Sequence, residues 1–400
     1  MKTRANVYLI GGLLLSLSTL SSSVSDFTPS YLYYFNKNPT RAVAIFYLAP
    51  TVVSSNLTLV DNVQLRQLAE LGELDAHYQL ALRFLQQGNP AAAKLWWQSE
   101  FDNYAVDQQQ ALADNLIAQQ QWQSIEWLWQ TNRLPQGDAR QAWLLRQRSD
   151  AEYIKADFAK RHNFSLSLHT VSVMSQCKFN VLMLTDHHAG INALKSFKRF
   201  YQAKPEPEKN SFCFSEIVYV GDQFSCRNHD MAVQCNWENA VAYNWPAGFD
   251  FIVMMSESGA ANVVGGIMHI NSQQSYQVFL HELMHFNGFE DEYPLPEKKQ
   301  QWLCKQQGKV APNLFIANDV LPPSGWQKSR ACKNSMAYKP SPNWSIMQYQ
   351  TMALSQQYRQ LWQKQINQPL TKPIRFLDYF TFLGVKPTIT TTSSLDKFSD

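Results

Sequence analysis

Residues 281–293 read HELMHFNGFEDEY. His281 and His285 are four apart, so on a helix both imidazoles leave one face about one turn from each other. Glu282 sits beside the first histidine and reaches the same space. Gly288 stands where such a helix has to stop and turn, because glycine enters φ > 0 without steric cost. The chain then runs into three acids, Glu290, Asp291 and Glu292. The spacing predicts a helix that begins near Ser275, runs through His285 and ends in an acidic bend.

Upstream, the texture is that of buried strands. FNVLMLTD (residues 179–186), SEIVYVGD (215–222) and FDFIVMMSE (249–257) are short apolar runs, and INALKSFKRFYQ (191–202) is an amphipathic helix. ANVVGGIMHIN (261–271) reads as one further strand carrying the pair Gly265 and Gly266. Strands and helices in this order indicate an α/β (α+β) domain in which the helix of residues 275–285 lies against a sheet.

With 400 residues, two domains are the default. From Val63 to about Lys160 the chain reads as helices, with Gly88, Asn89 and Pro90 as a turn. AHYQLALRFLQQGNPAAAKLWW (76–97) has a partner in ALADNLIAQQQWQSIEWLWQ (111–130), offset by about 32 residues, near the period of helical-hairpin repeats. This resembles tetratricopeptide-type repeats, although only two copies are legible. Lys2 and Arg4, the apolar stretch 7–20 and the small polar run 21–25 have the order of a secretory signal peptide. The expected organisation is a signal peptide (1–25), an all-α repeat-like domain (26–162), a mixed catalytic domain (163–378) and a polar tail (379–400). Beyond the signal, no membrane span is expected. The expected location is the periplasm or the outside of the cell. A net charge of +3 without a basic cluster argues against nucleic acid as a partner.

All six cysteines lie between Cys177 and Cys332, an even count that suggests disulfides in an exported protein. Cys226 and Cys235 bracket a short loop, and Cys304 and Cys332 a longer one. Cys177 and Cys213 each adjoin a predicted strand, so neighbouring parallel strands would bring them together. These are the three expected pairs.

The H-E-x-x-H arrangement supplies two metal ligands, His281 and His285, and in Glu282 a carboxylate able to take a proton from water. Asp291, ten residues after His281, is the expected third ligand, with Glu292 as the alternative. Two neutral imidazoles and one carboxylate suit a single catalytic zinc ion and leave its fourth position open. SIMQY (345–349) follows at a distance. Taken together, His281, Glu282, His285, Gly288 and Met347 resemble the signature of the metzincin zinc metallopeptidases. An aspartate in the third-ligand position occurs in their snapalysin-like minority. The continuation into Glu292 and Tyr293 also resembles the bacterial IgA-peptidase-like metzincins, in which the Asp-Glu-Tyr lies one residue further along. The resemblance covers roughly residues 170–375 and rests on motifs alone.

What the resemblance implies is a metzincin-like fold and an exported zinc endopeptidase with Glu282 as general base. Met347 would form the structural Met-turn beneath the histidines, and Tyr349 would stabilise an oxyanion as a second catalytic group. A protein or peptide substrate would pair with the strand near Gly265 and Ile267. The alternative is a non-catalytic binding or adhesion protein in which helical repeats grip a protein partner and zinc is structural. Of the remaining histidines, His187 and His188 read as solvated loop residues with Asp186 as a helix N-cap, and His269 as an ordinary strand residue.

Overall fold

The computed structural model describes residues 24–229, 232–370 and 372–390, with side chains from Ser30 onward apart from that of His229. Residues 1–23 of the expected signal peptide and residues 391–400 of the expected tail lie outside the described residues. Two compact units divide at Arg140 and Gln141. That division precedes the expected boundary at residue 163 for a packing reason. Leu145, Ile154, Phe158 and Phe164 share one buried cluster with the sheet of the second unit.

The first unit is helical. Its clearest elements are two hairpins, α1 (Leu74–Gln86) with α2 (Pro90–Trp97), and α3 (Val106–Ala118) with α4 (Trp122–Gln130). The first hairpin turns through Gly88 at φ +71°, and the Asn89 side chain then caps α2 by accepting from Ala92 N at 3.1 Å. Leu80, Leu85, Ala93, Leu112, Leu116 and Ile125 are buried along the facing stripes.

The second unit is built on a mixed five-stranded sheet. Its strands are β1 (Phe179–Thr185), β2 (Phe212–Tyr219), β3 (Phe251–Ser256), β4 (Asn262–Val264) and β5 (Ile267–Asn271). The order is β2-β1-β3-β5-β4, parallel throughout except for the antiparallel edge strand β4. Both faces are covered, which is why the parallel strands read as unbroken apolar runs. Val181, Met183, Val253, Met268 and Ile270 pack on one side under α5 (His188–Ala203), α6 (Tyr276–His285) and α7 (Gln356–Asn367). Leu182, Leu184, Ile252, Met254 and Ile267 point the other way, into Trp237, Trp245, Phe376 and Phe380.

Two expectations change. ANVVGGIMHIN is two strands: Gly265 and Gly266, at φ +57° and +77°, turn the chain back so that Val264 pairs with Ile267. Two consecutive positive-φ glycines make a tight hairpin turn, which an apolar run on both sides conceals. The turn also admits no side chain, since a Cβ on Gly265 would stand 2.1 Å from Tyr379 Cγ. The polar tail expected from residue 379 is likewise structured up to Thr390. The helix Phe376–Phe382 buries Phe380, and Thr388–Thr390 pairs in parallel with Asn244–Pro246.

The three disulfides join Cys177 to Cys213, Cys226 to Cys235, and Cys304 to Cys332, the expected pairs. The last closes a segment between α6 and SIMQY. This segment forms a four-stranded sheet with its own small core of Leu303, Leu314, Ile316 and Ala337. Among the described residues, no helix is long and apolar enough to cross a membrane.

Candidate metal centre

Helix α6 starts where the Ser275 hydroxyl accepts from Val278 N, and it stops as predicted. Phe289 N closes back on Met284 O at 3.3 Å while Gly288 takes φ +78°. That reversal brings Asp291 back over the face that carries both histidines. His281 Nε2, His285 Nε2 and Asp291 Oδ1 form a nearly equilateral triangle with sides of 3.1, 3.2 and 3.3 Å. These residues form the group of three able to hold a metal ion among the described residues.

The protons make the triangle informative. His281 Nδ1 donates to Ile346 O at 2.9 Å, and His285 Nδ1 donates to Phe289 O at 2.7 Å. A carbonyl oxygen only accepts, so each Nδ1 carries the hydrogen, and each neutral ring presents a lone pair on Nε2. Two nitrogen lone pairs and a carboxylate oxygen therefore converge, and Asp291 Oδ1 is buried with no well-aligned hydrogen-bond donor. Such a cluster is able to hold a cation. For tetrahedral zinc with donors at about 2.0–2.2 Å, neighbouring donors stand about 3.3–3.6 Å apart. The observed triangle lies within a few tenths of an ångström of that, so the residues fit the ion. Without a cation the same convergence draws a proton. Burial pulls His285 down, but Asp291 and Glu282 outweigh it and raise the imidazole to about 9. Burial likewise opposes ionisation of Asp291, yet His285 and His281 hold it far below the usual carboxylate range.

Glu282 is buried beside the triangle, its Oε1 4.0 Å from His281 Nε2. Burial pushes its carboxyl above the ordinary range against the pull of the two histidines. Asp291 and His285 keep 14% and 12% side-chain exposure, so this side of the cluster meets solvent.

Glu292 faces the other way. Its side chain is fully buried and accepts from Asn313 Nδ2 at 2.9 Å, Ser345 Oγ at 2.5 Å and the Tyr358 hydroxyl. Its backbone N–H donates to Met347 O at 2.9 Å. The alternative third ligand thus braces the segment whose Ile346 carbonyl orients His281. Met347 is fully buried in the cluster that contains Leu280, Leu283 and Met284 of α6. Glu290 also turns aside, to an ion pair with Lys299.

Tyr349 is placed elsewhere than expected. Residues 345–349 close a tight turn, with Tyr349 N donating to Ser345 O at 2.9 Å. Met347 is thereby sent inward and Tyr349 outward, 41% exposed and packed on Trp344. The phenol nearest the triangle is Tyr293, whose hydroxyl is held protonated by burial and by the charge of Asp291 beside it. Gln350 Nε2 in turn lies 3.4 Å from His281 Nε2. Sequence reasoning missed both roles. The only hint was that Tyr293 adjoins the acidic bend and Gln350 adjoins SIMQY.

His187 is not a solvated loop residue: it is 4% exposed, and it, not Asp186, occupies the N-cap position of α5. His269 is fully enclosed and accepts from Trp237 Nε1 at 3.3 Å. No protein-family model matches the chain, and no curated protein sequence matches it.

Proposed function

We propose that the chain is an exported zinc-dependent endopeptidase. The observation that carries this reading is the triangle of His281, His285 and Asp291, both imidazoles locked by backbone carbonyls, with buried Glu282 alongside. The metzincin-like order of the motifs along the chain supports the same assignment, and three disulfides fit an oxidising compartment.

His281, His285 and Asp291 would hold the ion. When bound, zinc supplies Lewis-acid chemistry that acidifies water and polarises a carbonyl. Glu282, its proton affinity raised by burial, takes the proton of the attacking water and passes it to the leaving amine. Tyr293, kept protonated, is the donor at hand for a developing oxyanion. The peptide would lie along β4, because β5 is already paired on both sides and β4 is the free edge. The expected pairing was with the strand near Gly265 and Ile267, and of the two strands that flank that glycine turn β4 has the open edge. A purely structural site gains nothing from a base placed like Glu282, which disfavours the adhesion reading.

The test joins metal analysis to a peptide-library digest with and without chelator. Glu282→Gln is expected to retain one equivalent of zinc and lose hydrolysis. A variant that keeps full turnover, or wild type that binds no zinc, overturns the proposal.

A further inference from the structure

A second constellation lies apart from the triangle, at the carboxyl edge of the sheet. β1 ends at Thr185 and β5 at Asn271, with parallel β3 between them. The next residues, Asp186, His187 and Ser272, therefore leave the same edge, where open parallel sheets place their ligand sites. His187 Nδ1 is 2.7 Å from Asp186 Oδ1, and His187 Nε2 is 2.8 Å from Ser272 Oγ. The carboxylate accepts from Nδ1–H, which leaves Nε2 to accept the serine proton. Asp186 and His187 are 1% and 4% exposed, whereas Ser272 is only partly buried. A shielded acid and base thus back a hydroxyl that solvent can reach. Arg148 Nη2 stands 3.0 Å from the other oxygen of Asp186, an ion pair without an aligned hydrogen bond, and leaves Oδ1 for the imidazole.

A helix start packs against this network. His187 is the N-cap of the 16-residue helix α5, and its side chain makes no capping hydrogen bond. The positive end of the α5 dipole therefore begins beside the imidazole. Gly190, in that first turn, lies so close that a Cβ would stand 2.0 Å from Thr185 Oγ1 and 2.9 Å from His187 Cε1. Glycine is what allows the helix start to close over the imidazole.

We propose that Ser272, His187 and Asp186 form a serine-nucleophile site for small carboxylic esters, independent of the metal centre. Ser272 Oγ attacks the ester carbonyl carbon as its proton moves to His187 Nε2. The carbon–oxygen bond to the alcohol breaks, and the alcohol leaves with that proton. Water then attacks the acyl-serine and gives a proton to His187, and Ser272 departs and takes it back. The net reaction is ester plus water to acid plus alcohol. Asp186 orients the imidazole and balances its transient charge.

The test uses the full chain, folded, with a fluorophosphonate probe and peptide mapping of the adduct. The expected result is one adduct, on Ser272, formed equally with or without chelator and in Glu282→Gln. This outcome separates the site from hydrolysis at the metal centre. His187→Gln is expected to slow labelling by about 100-fold or more, the contribution of a general base. A p-nitrophenyl acetate burst of one equivalent, with the acetyl group on Ser272, would agree. Folded wild type that carries no adduct on Ser272, or labels there no faster than its urea-unfolded form, overturns the proposal. The network would then be a clamp between β1 and the loop before α6.

Discussion

Glu292 offers the sharpest perturbation, because it separates a bracing role from the ligand role proposed for its neighbour Asp291. Glu292→Ala strands two buried hydroxyl donors, Ser345 Oγ and the Tyr358 hydroxyl, and takes from Asn313 Nδ2 one of its two acceptors, the Glu290 carbonyl remaining. Each buried donor left without a partner costs roughly 1–3 kcal/mol. Lys339 Nζ, buried 3.6 Å from the carboxylate, keeps Asn343 O and Gln348 Oε1 but loses its counter-charge, which pushes in the same direction. With partial relaxation, the expected loss is about 3–6 kcal/mol, a large part of the stability of an ordinary domain. Glu292→Gln preserves the shape and one acceptor oxygen, so its expected loss is smaller, about 1–2 kcal/mol. Because the chain has two units, the assay is hydrogen exchange of the β1 and β3 amides in chelator, whose slowest opening reports the second unit alone. A loss below about 1 kcal/mol for Glu292→Ala, or equal losses for both variants, would refute the bracing role.

Three further outcomes follow from burial and charge. In chelator, His285 titrates near 9, above its unfolded value of about 6.5, so its proton stabilises the fold below pH 6.5. Stability should therefore fall by roughly 3 kcal/mol as pH rises through 9, and Asp291→Ala should flatten that slope in urea titrations. His269 behaves in the opposite sense: burial holds it down at about 4, so between pH 6.5 and 4 the unfolded chain binds a proton that the folded chain refuses. Its share of the stability should drop by roughly 3 kcal/mol as pH falls across that window, beside a drop of the same sign from buried His188, and His269→Phe should remove the His269 share alone. Replacing Cys304 and Cys332 with serine should cost about 3 kcal/mol in the segment they close, read as faster exchange of the Leu314–Ile316 amides.

Much of the molecule is legible one residue at a time. The buried runs at 179–186 and 249–257, the four-residue step from His281 to His285 and the stop at Gly288 all report local backbone geometry. Helix and strand periods are properties of consecutive residues, so sequence carries them directly. The cysteine pairing was legible for a related reason, since two of the loops it closes are short or moderate and the third joins adjacent strands. Side-chain direction after a bend has no such period. Asp291 turns to the histidines while Glu292 turns to Asn313, Ser345 and Tyr358, residues that sequence distance keeps apart. The same holds for Tyr293 against Tyr349, and for the meeting of His187 with Ser272 across the sheet. Those contacts exist because the strand order β2-β1-β3-β5-β4 and the turn at residues 345–349 bring distant segments together. Local propensity set which elements form and which face bears the histidines. Packing of the second unit's core settled which acid, which phenol and which hydroxyl stand within hydrogen-bonding reach of an imidazole, because that reach is a distance in space and not along the chain.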